Sequence, residues 1–189
     1  MLVKENKDLF WQLLEALHPK AESFCRRLAA NLDDGNDLYQ EAVLLALRKF
    51  SGLRDTAAFK SWLYKIIINT FKSWRRKDKK QLPISDELAE SYAGPDPSND
   101  YNAKILLAHE MAVLSPEDKA LVTLYELEGW SIDEVAKMEK KPEGTIKSRL
   151  FRARRRMRDA IAENLPRIKK NNEESEYELP QGRAGNIQA

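Results

Sequence analysis

From Lys140 to Arg158 the chain carries nine lysines and arginines and a single acid, Glu143. Such a run neutralises phosphates, and its spacing gives it direction. Ile146, Leu150, Ala153 and Met157 recur at helical intervals and share one face. At about 100° per residue the opposite side holds Ser148, Phe151, Arg152 and Arg155. Lys147 and Arg154 flank it on one side, Arg149 and Arg156 on the other. One face can pack on a domain, one can enter a major groove, and two cationic edges can meet the backbone. The competing reading is a basic amphipathic helix for a membrane surface or partner protein, for which Ala153 is a poor anchor.

A second cationic stripe lies earlier. The spacing predicts a long helix over 59–77, mostly apolar or aromatic through Phe59, Trp62, Leu63, Ile66, Ile67, Thr70, Phe71 and Trp74. Lys65, Asn69, Lys72 and Arg76 fall within about 60° of one another on it. An amide among three cations suits a base edge held beside a phosphate backbone, and it equally suits a plain solvated stripe. The aromatics could stack unpaired bases, although aromatics at this spacing more often form core. The preceding loop, 53–58, which includes Thr56 and Ala57, could form a pocket beside the helix.

These residues need elements to aim them. Ser131 with Glu134 three residues on reads as a capping box, followed by the stripe Ile132, Val135, Ala136 and Met138. After the turn Glu139–Lys140–Lys141, Pro142 opens the basic helix. Upstream, Ser115–Pro116–Glu117–Asp118 starts another helix, with Ala120, Leu121, Leu124 and Leu127 as its apolar face and Gly129 as its end. Together they predict a helix-turn-helix unit. Its turn lacks glycine, so a left-handed Lys140 would cost about 1 kcal/mol.

Toward the N-terminus, residues 8–29 read as helix interrupted at Pro19, 31–36 as a turn, 37–50 as a helix and 51–58 as a loop. The 37–50 helix is apolar on two sides. Leu38, Ala42 and Leu45 share one, Val43, Leu44 and Leu47 the other, with Asp37, Gln40, Glu41 and Arg48 at the borders. Such a helix is buried centrally or docks a partner, and with so few helices docking is favoured. The expected class is all-α: two small helical domains, 1–77 and 103–165, joined by a flexible linker over 78–102 that contains Pro83, Gly94, Pro95 and Pro97. Residues 166–189 read as a disordered or weakly helical tail.

The 189 residues carry a net charge of +2, distributed unevenly. Residues 65–80 hold +6 and residues 140–158 hold +8, leaving −12 for the rest. Two basic patches on an otherwise acidic chain point to two nucleic-acid contacts. No apolar run is long enough to span a bilayer and no signal-peptide pattern opens the chain, so a cytoplasmic protein without membrane insertion is expected. The lone Cys25 cannot form an internal disulfide and reads as core. His18 and His109 are the only histidines. No metal-ligand cluster, phosphate-cradling glycine loop or nucleophile motif accompanies them, so no catalytic residues, metal or cofactor are expected.

These segments together resemble bacterial sigma factors of the extracytoplasmic-function (ECF) group of the sigma-70 family. Asp37–Leu38–Tyr39–Gln40–Glu41–Ala42, then Phe59 to Ile66, Asn69 and Arg75–Arg76 look like sigma region 2. Leu114–Ser115–Pro116, Glu134–Val135–Ala136, Gly144 to Leu150 and Arg152–Ala153–Arg154 look like region 4. The resemblance covers residues 8–163 in order. It implies a transcription initiation factor that binds RNA polymerase core, recognises −35 and −10 promoter elements and promotes melting. Asp37, Leu38, Gln40, Glu41 and Leu44 would meet the clamp of the largest polymerase subunit. Thr56, Ala57, Lys65, Asn69, Lys72 and Arg76 would hold the −10 strand. Thr145, Lys147, Ser148, Arg149, Phe151, Arg152 and Arg155 would contact the −35 duplex. It further implies a factor monomeric in function and held inactive by an anti-sigma factor. The rivals are a stand-alone helix-turn-helix repressor, which leaves the first stripe unexplained, and an adaptor that only titrates an anti-sigma factor, which needs neither stripe.

Overall fold

A computed structural model describes residues 2–78 and 111–176. Seven helices account for most of them: α1 (Leu2–Glu15), α2 (His18–Ala29), α3 (Leu32–Lys49), α4 (Phe59–Asp78), α5 (Pro116–Val122), α6 (Ile132–Glu139) and α7 (Glu143–Glu176). No strand occurs among the described residues. The linker proposed for 78–102, beyond residue 78, and the start of the second domain, 103–110, lie outside them, as do residues 177–189 and His109.

The N-terminal half is built on α4, which lies against α2 and α3. Leu63, Tyr64, Ile67, Ile68 and Phe71 of α4 are buried, as are Phe24, Cys25 and Leu28 of α2 and Leu38, Ala42 and Ala46 of α3. Phe10 of α1 meets Phe50 and Phe59 edge to face, with centroids 5.3 and 5.7 Å away. Burial pushes the Cys25 thiol well above its usual range, with Glu22 and Glu128 adding, which fits an inert core residue. His18 Nδ1 shares a 2.6 Å hydrogen bond with the Tyr39 hydroxyl.

The start of α3 differs from the sequence expectation. The segment 31–36 is the start of α3 rather than a turn. The Asn31 side chain accepts from the Asp34 N–H at 2.7 Å, and Asp33 and Asp34 suit the positive end of the helix. Gly35 is therefore a packing residue: a Cβ there would lie 2.5 Å from the Arg26 Cα, so its absence lets α2 and α3 approach. At the other end, α7 runs through Pro166 to Glu176, so the first part of the segment read as a disordered or weakly helical tail is helical.

In the C-terminal half the caps form as expected. The Ser131 side chain accepts from the Glu134 N–H at 3.1 Å, and the Glu134 carboxylate accepts from the Ser131 N–H at 2.8 Å. The Ser115 side chain accepts from the Asp118 N–H, and Gly129 takes a positive φ of 69°. Between α5 and Gly129, Thr123–Leu127 widens into a π turn. Lys140 adopts φ 56°, ψ 46°, the left-handed conformation that a turn without glycine must impose on some residue.

Candidate nucleic-acid interface

The basic helix is anchored by a narrow stripe. Ile146, Leu150 and Ala153 are buried against α5 and α6, with Met157 packed beside them, and Ala160 is buried further along. On the other side Thr145, Lys147, Ser148, Arg152 and Arg155 are exposed, and Phe151 is 62% exposed. A phenyl ring held out in water by a rigid helix is unusual and gives this face an apolar contact between cations. Its polar groups are partly engaged within the chain. Ser148 donates to the Gly144 carbonyl at 2.8 Å, Lys147 pairs with Glu143 at 3.2 Å, and Arg155 lies 3.9 Å from Asp159.

Arg149 is placed differently from its neighbours. Its side chain is only 13% exposed and turns inward, donating to Asp118 at 3.1 Å and to Glu139 at 3.4 Å. The register explains this: Arg149 adjoins the buried Leu150 on the edge that faces the start of α5. Arg156 reaches the same Asp118 at 3.3 Å, and on the other edge Arg154 donates to Glu126 and lies over the Tyr125 ring. The sequence reading missed Asp118, Glu126 and Glu139. Asp118 showed only as part of a helix start, and no local signal says which cation an acid will meet.

On α4, Asn69 and Arg76 are exposed and Lys65 and Lys72 are half-buried. The two lysines face the C-terminal half, where Lys65 lies 3.4 Å from Glu139 and Lys72 lies 2.8 Å from Glu117. At the start of α4, Lys60 also reaches the C-terminal half, 3.6 Å from Glu134 and 4.3 Å from the centroid of the Trp130 ring. Burial alone would raise the pKa of Glu139, but Lys65, Lys141 and Arg149 hold it below the usual carboxylate range. Burial likewise opposes ionisation of Glu117, and bonds to Lys72 and its own backbone lower it. Lys119 lies in the same seam. Burial, aided by Arg75, pushes it down to about 8.

The stacking platform resolves mostly into core: Phe59, Tyr64 and Phe71 are buried, and Trp74 donates its indole N–H to Glu41 at 2.7 Å. In the loop before α4, Thr56 and Ala57 are exposed, and the Asp55 carboxylate accepts from the Ala57 N–H at 2.9 Å. Along α3, Leu38 is buried in the core, whereas Asp37, Gln40 and Glu41 are exposed and Leu44 is 56% exposed. The helix thus buries one side and presents a large aliphatic among polar neighbours on the other.

The chain matches two families in order: Sigma-70 region 2 over residues 13–81, and Sigma-70, region 4 over residues 104–157. It is 33% identical over 169 residues to the ECF RNA polymerase sigma-E factor of Haemophilus influenzae, covering 82% of this chain and 89% of that protein. It is 34% identical over 166 residues to the sigma-E factor of Escherichia coli K12, covering 80% and 85%. A solved structure of the sigma factor RpoE in complex with the anti-sigma factor NepR, from Bartonella quintana, superimposes with a TM-score of 0.62 at 25% identity, covering 81% of this chain and 96% of that one. The exposed face of the basic helix, the cationic stripe on α4 and the ordered pair of family matches lead to one assignment: the chain belongs to the extracytoplasmic-function sigma factors of the sigma-70 family, transcription initiation factors that bind RNA polymerase core and promoter DNA.

Proposed function

We propose a division of labour among three surfaces of this sigma factor. The exposed side of α3, with Asp37, Gln40, Glu41 and Leu44, docks on the clamp of the largest polymerase subunit, and the buried Leu38 fixes the register of that helix. The 53–58 loop, with Thr56 and Ala57, and the α4 stripe of Lys65, Asn69, Lys72 and Arg76 hold the melted −10 strand. The outer face of α7, with Thr145, Lys147, Ser148, Phe151, Arg152 and Arg155, reads the −35 duplex. Arg149 serves that face as a strut through Asp118. The observation that carries this reading is the α7 face, where an aromatic and two arginines project from a helix locked by a fully buried opposite side.

No covalent chemistry is required of the chain. Unstacking a base costs a few kcal/mol, and contacts to the opened strand offset it. Arg152 supplies discrimination through a bidentate contact, and the flanking cations set affinity and salt dependence. An anti-sigma factor holds the chain inactive, a reading supported by the fold shared with a sigma factor solved in such a complex. Run-off transcription with purified core polymerase tests the assignment. A discrete start that depends on the chain is expected. Identical transcripts with and without it, over a broad pool of promoter fragments, would overturn it.

A further inference from the structure

The far end of α4 touches the docking side of α3 through one side chain. Asp37, Glu41, Leu44 and Arg48 follow one another at helical spacing along α3, and all are exposed. Trp74, one turn from the end of α4, donates its indole N–H to Glu41 Oε2 at 2.7 Å. The indole is half-buried and its ring packs against the core, so its single donor points in a fixed direction. Among the described residues no other side chain bonds the Glu41 carboxylate. An exposed glutamate otherwise turns about its side-chain bonds, and ordering it costs entropy when a partner binds. A charge-assisted bond from a packed indole removes much of that freedom beforehand. A carboxylate has about four acceptor positions, so one bond on Oε2 leaves Oε1 for a cation of a partner.

We infer that Trp74 is a positioning residue for polymerase docking: its indole N–H holds the Glu41 carboxylate in the orientation in which it meets a basic side chain of the polymerase. The inference rests on the docking reading of the exposed α3 side. Trp74 itself need not touch the polymerase. It acts through Glu41, and its effect disappears when Glu41 has no carboxylate. The same contact ties the docking helix to the end of α4, where Arg75, Arg76 and Lys77 follow Trp74 and are exposed.

The test is a double-mutant cycle on the full chain with Trp74→Phe, Glu41→Ala and the pair, each competing with a labelled copy of the unaltered chain for purified core polymerase. Phenylalanine keeps an aromatic ring in the core and removes only the donor. Trp74→Phe is expected to weaken core binding about fivefold and Glu41→Ala about tenfold, and Trp74→Phe should add less than about twofold once Glu41 is alanine. A merely structural role would give the same loss in both backgrounds, and that result overturns the inference. So does unchanged binding of Trp74→Phe while Glu41→Ala weakens, which leaves the docking reading standing. If Glu41→Ala binds core as well as the unaltered chain, the docking reading of Glu41 has failed and the inference with it. A second measurement needs no change at Trp74: its indole N–H resonance, assigned in the unaltered chain, should move in Glu41→Ala, and an unmoved resonance overturns the inference.

Discussion

Helices α4 and α7 carry the two basic stripes, and their fates differ. On α7 the cations at the outer face stay exposed, because a narrow apolar stripe suffices to hold the helix and the rest points to solvent. On α4 the apolar face is broad, with Leu63, Tyr64, Ile66, Ile67, Ile68 and Phe71 buried, and Lys65 and Lys72 lie at the seam with the other half while Arg76 stays exposed. Two basic stripes therefore end differently: the cations of α7 pair only with acids of their own half, whereas two lysines of α4 meet carboxylates of the other half. What decides is how much of the circumference packing consumes.

The sharpest break of this comparison lies within α7 itself, at Arg149 and Arg152. Arg149→Ala leaves Asp118 and Glu139 short of a partner in a half-buried site, and a loss of about 2–3 kcal/mol in urea unfolding is expected. Arg152→Ala should leave stability within about 0.5 kcal/mol while weakening −35 preference by about 1–3 kcal/mol, read as the affinity ratio between cognate and scrambled duplex. Equal stability loss in both variants would erase the distinction between inward and outward arginines.

Packing in the N-terminal half is probed next by Gly35→Ala. The added methyl meets the Arg26 backbone, so α2 and α3 must separate, at about 1–3 kcal/mol in thermal or urea unfolding. A neutral result would mean that this helix pair is looser than the close approach implies.

Lys119 gives the seam a pH signature. Its pKa falls from 10.5 to about 8 in the folded chain, chiefly through burial and further through Arg75. The unfolded chain therefore holds this proton more tightly, so stability contributed here rises with pH between those values and the penalty is full below about 8. Lys119→Met should stabilise by on the order of 1–2 kcal/mol near pH 7, with the gain shrinking towards pH 10. Urea melts of both chains across that range check it, and a pH-independent difference would contradict the burial of charge.

The smallest effect is expected at the turn before α7. Lys140→Gly removes the left-handed penalty and should stabilise by about 1 kcal/mol, seen as a higher urea midpoint with unchanged slope. Because Lys140 is exposed and outside the proposed α7 face, −35 binding should not change.

Local patterns were legible from the chain alone: the capping box at Ser131 and Glu134, the strained Lys140, the narrow stripe of α7, the extent of α4 and the all-helical class. Each depends on neighbours a few residues apart, where backbone geometry links sequence to contact. Gly35 misled because a glycine flanked by Asn and Asp has the same local signature whether it turns the chain or lets two helices touch. After Pro166 two readings stayed open, disordered or weakly helical, because a proline disfavours a helix interior without forbidding it. The inward turn of Arg149 and the pairing of Lys60, Lys65 and Lys72 were not legible. Their partners lie 74 residues away for Lys65 and 31 for Arg149 on Asp118. The sequence thus determined which residues carry charge and which helix faces they share. Only the tertiary structure decided which charges are satisfied within the molecule, because ion pairing follows distance in space and desolvation, and neither is encoded in local spacing.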